Sequence, residues 1–196
     1  LAERLGTFVA QMNDHRTRTV NVRYYGELAG SRTEMIANAV LTGLFKPILS
    51  SGVTLVNART VASERGIEVI ESRSSRTRDY TSLISVKVQS DGEDHLVEGA
   101  VFQRSVPRLV LVDGVAVEAP LEGTMIVLSN SDQPGVIGDV GTILGRHGVN
   151  VATFALGRDG DRAVGVVIVD EPADRPVPEV VLDELRRLPT IREARI

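Results

Sequence analysis

The stretch NSDQPGVIGDVGTILGRHGVNV, Asn130 to Val151, decides the fold. It follows an apolar strand candidate, TMIVL, at Thr124 to Leu128. The polar loop Asn130-Ser131-Asp132-Gln133 comes next, and Pro134 then supplies a fixed φ where a first helical turn is expected. Val136, Ile137, Val140, Ile143 and Leu144 recur on one helical face. Gly138, Gly141 and Gly145 give the same helix a side of little bulk, where a second backbone can come close. Gly148 stops the helix after Arg146 and His147, and Asn150 stands at the mouth of the next strand. A helix N-terminus favours an anionic group, and Asp132 can receive an ammonium. Asn130 and Asn150 can each donate and accept, so a small zwitterion suits the loop. The plainer alternative is that Asn130 or Asp132 only caps the helix and Asn150 only turns the chain.

Outward from this run, the order strand, helix (134–147), strand (149–156), strand (163–169), helix (from 178) and closing strand (191–196) is a βαββαβ, ferredoxin-like unit. Asp159-Gly160 marks the turn between its second and third strands, and Pro189 ends its last helix. Ala119-Pro120 is the expected boundary, giving domains over 1–118 and 119–196.

Before that boundary, Leu1 to Met12 reads as a helix and Thr17 to Leu28 as a strand. A second helix is capped by Ser31 or Thr33, carries Ile36, Val40, Leu44 and Ile48 on one face, and ends near Lys46 because of Pro47. Asn57 to Arg65 forms a short third helix that Gly66 terminates, and Ile67 to Glu71 is a strand. Ser72 to Asp79 is an Arg-rich polar loop, either solvated or attractive to an anion. Hairpins follow: 83–89 with 95–104, and 109–112 with 115–118 across Asp113-Gly114. This half is expected to be helices followed by antiparallel strands, so the whole chain is α+β, two α/β-sandwich domains.

Composition bounds the function. The chain has 196 residues, 42% of them hydrophobic, which suffices for real cores, and its scarce aromatics (4%, no Trp) leave Val, Ile, Leu and Ala to build them. A net charge of −4 without a basic stripe argues against nucleic acid. The absence of Cys excludes disulfides, thiolate metal sites and a Cys nucleophile, and fits the cytoplasm. No apolar run approaches the roughly 20 residues of a membrane span, so no membrane partner is expected. No signal-peptide pattern opens the chain, and a start at Leu1 is expected of a piece of a longer protein. His15, His95 and His147 have no metal-spaced partners. The glycines Gly135, Gly138, Gly141 and Gly145 do not make G-x-G-x-x-G, and no Gly-Lys-Ser/Thr occurs, so nucleotide binding in this chain is rejected. No catalytic residue and no cofactor are assigned to it.

Three runs carry a resemblance: EGTMIVLSNSDQPGVIGDVGTILGRHGVNVATFALGR (122–158), VNARTVASERGIEV (56–69) and VRYYGELA (22–29). The chain resembles, over almost its whole length, the C-terminal regulatory region of long-form D-3-phosphoglycerate dehydrogenases, an intervening (allosteric substrate-binding) domain followed by an ACT domain. The resemblance implies a parent that is an NAD-dependent oxidoreductase at the first step of L-serine biosynthesis, cytoplasmic and homo-oligomeric, with its nucleotide-binding and catalytic parts outside this chain. It implies an effector site for L-serine or a related amino acid between two ACT domains, held by Asn130, Asp132 and Asn150 with the backbone near Val151. It also implies an anion site in the intervening domain. Arg108 matches one of its basic positions, while the companions fall at Val115 and near Pro120, which leaves it incomplete. An L-serine dehydratase uses similar domains, but its iron–sulfur cluster needs cysteines that this chain lacks. A stand-alone amino-acid-binding ACT protein is the other alternative.

Overall fold

The computed structural model describes residues 1–31, 33–49, 52–76, 78–103, 105–170 and 176–196. The chain divides into two compact units, Leu1–Gly114 and Val115–Ile196.

In the first unit, helix α1 (Ala2–Met12) precedes strand β1 (Thr17–Gly26) and a 3-10 turn. Helices α2 (Glu34–Phe45) and α3 (Ala58–Glu64) then lead to β2 (Glu68–Ser74), and β3 (Ser82–Ser90), β4 (His95–Phe102) and β5 (Val106–Val112) follow. The strand order is β2-β1-β3-β4-β5. Val20, Val22 and Tyr24 of β1 are buried at period two. Leu5, Val9, Val40, Leu41 and Leu44 of α1 and α2 are buried as well, each worth about 1.5–3 kcal/mol when fully removed from water. The two helices meet backbone to backbone. A Cβ on Gly43 would overlap the Glu3 carbonyl oxygen and stand 2.9 Å from Thr7 N. One on Gly6 would overlap the Val40 carbonyl oxygen and stand 2.9 Å from Leu44 N. Thr7 Oγ1 donates to the Gly43 carbonyl at 3.1 Å across this crossing.

Several expectations need correcting here. The first half is not purely antiparallel: β2 pairs parallel with β1, because α2 and α3 form a crossover that returns the chain in the same direction. The strand runs on to Ser74, so the first residues of the expected Arg-rich loop are paired opposite Arg23, Tyr24 and Tyr25. Thr33 is the N-cap of α2 by position, yet its side chain makes no cap; its Oγ1 accepts from Arg73 Nη2 at 2.7 Å instead. Ile48 leaves the apolar face after α2 ends and is 57% exposed. The expected strand end at Arg104 and most of the 170–178 connection lie outside the described residues.

Under α2, Tyr24 is fully buried and its hydroxyl donates to Glu71 Oε2 at 2.8 Å. Arg59 is ion-paired with the same carboxylate. Burial first, then the hydrogen bond to Glu71 and its charge, push the Tyr24 phenol far above its ordinary value. A raised folded-state pKa stabilises the fold fully below the unfolded value near 10, and that contribution is lost as pH rises beyond it. Stability is therefore expected to fall above about pH 10 with up to about 1.4 kcal/mol per pH unit from this group. Tyr24→Phe removes that slope at a cost near 1 kcal/mol at neutral pH. Urea unfolding of both proteins from pH 8 to 11 decides it, and parallel curves would refute the assignment.

The second unit opens with β6 (Val115–Pro120), reached through Asp113 and Gly114, both at positive φ (45° and 87°) as a tight Asp-Gly turn requires. Then come β7 (Thr124–Ser131), α4 (Val136–Arg146), β8 (Val151–Asp159), β9 (Arg162–Val169), α5 (Glu179–Arg186) and β10 (Ile191–Arg195). From β7 onward this is βαββαβ, with sheet order β10-β7-β9-β8 and every neighbouring pair antiparallel. Ile126 and Leu128 of β7, Val140 and Leu144 of α4, and Val181 and Leu185 of α5 share one core. β6 lies so close to β8 that a Cβ on Gly157 would overlap the Ala116 carbonyl oxygen.

Helix α4 differs from expectation at two points. It starts at Val136, not Pro134, because Gly135 takes a left-handed conformation (φ 97°) as its N-cap. Within this chain the side of Gly138, Gly141 and Gly145 is open, with nothing within 4 Å of an added Cβ. Ile137 turns outward beside them and is 50% exposed.

Candidate functional site

The loop between β7 and α4 holds the first group of expected effector residues. Asn130 follows Ile126 and Leu128 on the buried face of β7 and is only 3% exposed. Its Nδ2 donates to the Ser131 carbonyl at 2.9 Å, and its Oδ1 is buried without a hydrogen bond. A buried acceptor left open costs about 1–3 kcal/mol, so this oxygen is where a donor would be welcomed. Thr190 stands at the same end of the sheet. Its carbonyl accepts from Ser131 N at 2.9 Å, Ile191 pairs with Asn130, and its own Oγ1 is a second buried oxygen without a partner.

Asp132 is fixed through its backbone, which donates to the Asp161 carbonyl at 3.0 Å. Its carboxylate lies 3.2 Å from Arg158 Nε on β8. One acid and one guanidinium thus meet beside the start of α4, a pair able to face both charges of a zwitterion. Neither Asn130 nor Asp132 caps α4, which has no side-chain cap. The capping alternative therefore does not describe them.

Asn150 and Val151 lie elsewhere. Asn150 Nδ2 donates to Asp170 Oδ2 at 2.6 Å, and Asp170 N returns a bond to the Asn150 carbonyl at 3.0 Å. These residues border a cavity of about 140 Å³ with His147 and Val177. Val151 pairs with Val169, whereas Asn130 pairs with Ala163, six residues back along the same β9. At the rise of a strand that separation is about 20 Å. One such unit therefore presents Asn130 and Asp132 at one end of its sheet and Asn150 and Val151 at the other, and does not bring the four together.

Sequence reasoning missed Arg158 and Thr190. Arg158 sits within the family-like run, but only the folding of β8 back along β9 carries it to Asp132. Thr190 carries no motif at all, and only the β7–β10 pairing marks it.

Arg108 and His95 lie in the first unit, and His147 follows α4. Arg108 lies on β5 opposite Ala100, with its guanidinium 5.7 Å from the Phe102 ring centroid. His95 is buried with Nδ1 3.0 Å from Asp113 Oδ2, and Asp113 Oδ1 accepts from Leu96 N. His147 Nε2 is 3.1 Å from Glu184 Oε1, and Arg146 also bonds Glu184. Among the described residues no grouping of His, Asp or Glu could hold a metal ion, and no helix is long and apolar enough to cross a membrane.

The split sheet, its two facing helices and the open polar loop at the head of α4 define the second unit as an ACT domain, and the model of that domain matches residues 124–190. The model of the D-3-phosphoglycerate dehydrogenase intervening domain matches residues 1–113, and the chain belongs to that family. It is similar to the D-3-phosphoglycerate dehydrogenase of Archaeoglobus fulgidus, 38% identical over 99% of the chain and 37% of the enzyme. It is also similar to those of Methanocaldococcus jannaschii (35% identical, 100% of the chain, 37% of the enzyme) and Bacillus subtilis (32%, 97% and 36%). The chain thus spans little more than a third of these relatives, over their C-terminal part, and is a C-terminal regulatory region.

Proposed function

We propose that this chain regulates and assembles a cytoplasmic, homo-oligomeric, NAD-dependent D-3-phosphoglycerate dehydrogenase of L-serine biosynthesis, and that L-serine or a related small amino acid is its effector. The nicotinamide site and the reacting groups belong to the remainder of such an enzyme, and this chain performs no chemistry alone. The observation that carries the reading is the position of the four expected effector residues at opposite ends of one sheet. A two-fold pairing of ACT domains sets the Asn130–Asp132 end of one chain against the Asn150–Val151 end of another. Asp132 then receives the ammonium, Arg158 the carboxylate, and the buried Asn130 Oδ1 a donor of the ligand. Binding energy that differs between two subunit arrangements shifts their balance, which is how a site on this chain can govern a distant reaction.

Titration of L-serine into the purified chain by calorimetry, with glycine and L-alanine as controls and the mass followed in solution, tests this. Saturable serine binding by a dimer is expected. A stable dimer that takes up no serine at millimolar concentration would sink the effector reading and leave the ACT pair as an assembly device only.

A further inference from the structure

A second cavity, in the first unit, lies apart from every residue assigned above. It opens between the C-terminal ends of α1 and α2, the loop after α1, and the junction of α3 with β2, and encloses about 410 Å³. Its floor is apolar: Leu44 and Phe45 are each 1% exposed, and Ile48, turned out of the core after α2, stands at its rim. Arg16 and Arg65 line it as well, and so does His15. The Arg16 guanidinium reaches across to the α3 side, where its Nη2 lies 3.8 Å from the Cβ position of Gly66. The loop that carries it is held by Asn13, whose Nδ2 donates to the His15 carbonyl at 2.8 Å and to Thr17 Oγ1 at 3.0 Å.

Neither Arg16 nor Arg65 has an ion-pair partner among the described residues, whereas Arg18, Arg59, Arg78 and Arg158 each have one. No carboxylate lines the cavity. Two guanidiniums across an apolar floor match a ligand with one anionic end and an apolar body. A zwitterion is poorly served, since its ammonium would meet two cations and no acid. A compact dianion such as phosphate would leave the apolar floor unused.

We infer that this cavity binds a small organic carboxylate carrying an apolar chain, its carboxylate on Arg16 and Arg65 and its chain against Phe45 and Ile48. The ligand class differs from that of the ACT site, so the two sites report independently.

The test titrates the chain with hexanoate, acetate, inorganic phosphate and L-leucine, followed by calorimetry and by the backbone amide resonances of residues 13–17 and 65–67. Hexanoate is expected to bind at least about tenfold tighter than acetate, since each methylene buried is worth up to about fourfold. Phosphate and L-leucine should bind more weakly than hexanoate. Arg16→Gln with Arg65→Gln is expected to weaken hexanoate at least about tenfold. Both side chains are exposed, so Tm should not change. Ile48→Asp should abolish binding from the other wall. The inference is overturned if hexanoate shows no saturable binding, if the double glutamine variant binds it as well as the parent, or if phosphate or L-leucine binds as tightly.

Discussion

Gly43→Ala is expected to destabilise the first unit by about 3 kcal/mol or more, although alanine is the better helix former by about 1 kcal/mol. The added methyl would meet the backbone of α1 at Glu3 and Thr7, and a backbone cannot rotate aside as a side chain does. The helices must separate. Separation loosens the packing of Leu5, Val9, Val40 and Leu44 and breaks the Thr7–Gly43 hydrogen bond. Gly141→Ala is the internal control: with nothing within 4 Å of its Cβ, it should stabilise by about 0.5–1 kcal/mol. Chemical denaturation of the two variants beside the parent gives the comparison. Equal stability of Gly43→Ala and the parent would show that the crossing opens without cost, contrary to the packing described.

The second large effect concerns the proposed effector site. Asp132→Ala and Asn150→Ala should each weaken serine binding by about 10–100-fold, the loss of one charged or one amide contact of about 1.5–3 kcal/mol. The more decisive measurement mixes the two variants. If each site takes Asp132 from one chain and Asn150 from its partner, a mixed dimer holds one intact site and one doubly damaged site. An equal mixture that reassorts freely is half mixed dimers, so about a quarter of the parent's high-affinity sites should return. If both residues of a site came from the same chain, every chain in the mixture would carry one lesion and no high-affinity site would reappear. A mixture as inactive as its components, after exchange is demonstrated by mass, would overturn the shared-site arrangement.

The ACT unit was legible in the sequence because local pattern and turn chemistry agreed there. A helical stripe at Val136, Ile137, Val140, Ile143 and Leu144, an Asp-Gly turn at 159–160 and the apolar run 124–128 all point one way, and all but the exposed Ile137 are used as expected. The first unit was less legible. Parallel pairing of β2 with β1 depends on a crossover of two helices, and nothing in IEVIE distinguishes a parallel edge from an antiparallel one. Glycines are ambiguous for a related reason. A glycine that permits contact and one that merely tolerates water look alike in a helix, and only the partner's position separates Gly43 from Gly141. At the candidate site, the motif supplied Asn130, Asp132 and Asn150. Arg158 and Thr190 depend on strand register, which a motif does not encode.

The sheet order β10-β7-β9-β8 also sets a schedule. β7 is the first strand of its βαββαβ to leave the ribosome, yet both of its neighbours, β9 and β10, are synthesised after it. Ile126 and Leu128 can pack on α4 as soon as it forms, but the edges of β7 must wait for the later half of the unit, and pairing across so much intervening chain is slow. A nascent chain paused within β8 therefore displays an unpaired strand, apolar from Met125 to Leu128, with both edges open. That interval is when this unit is most exposed to wrong partners and most in need of a chaperone.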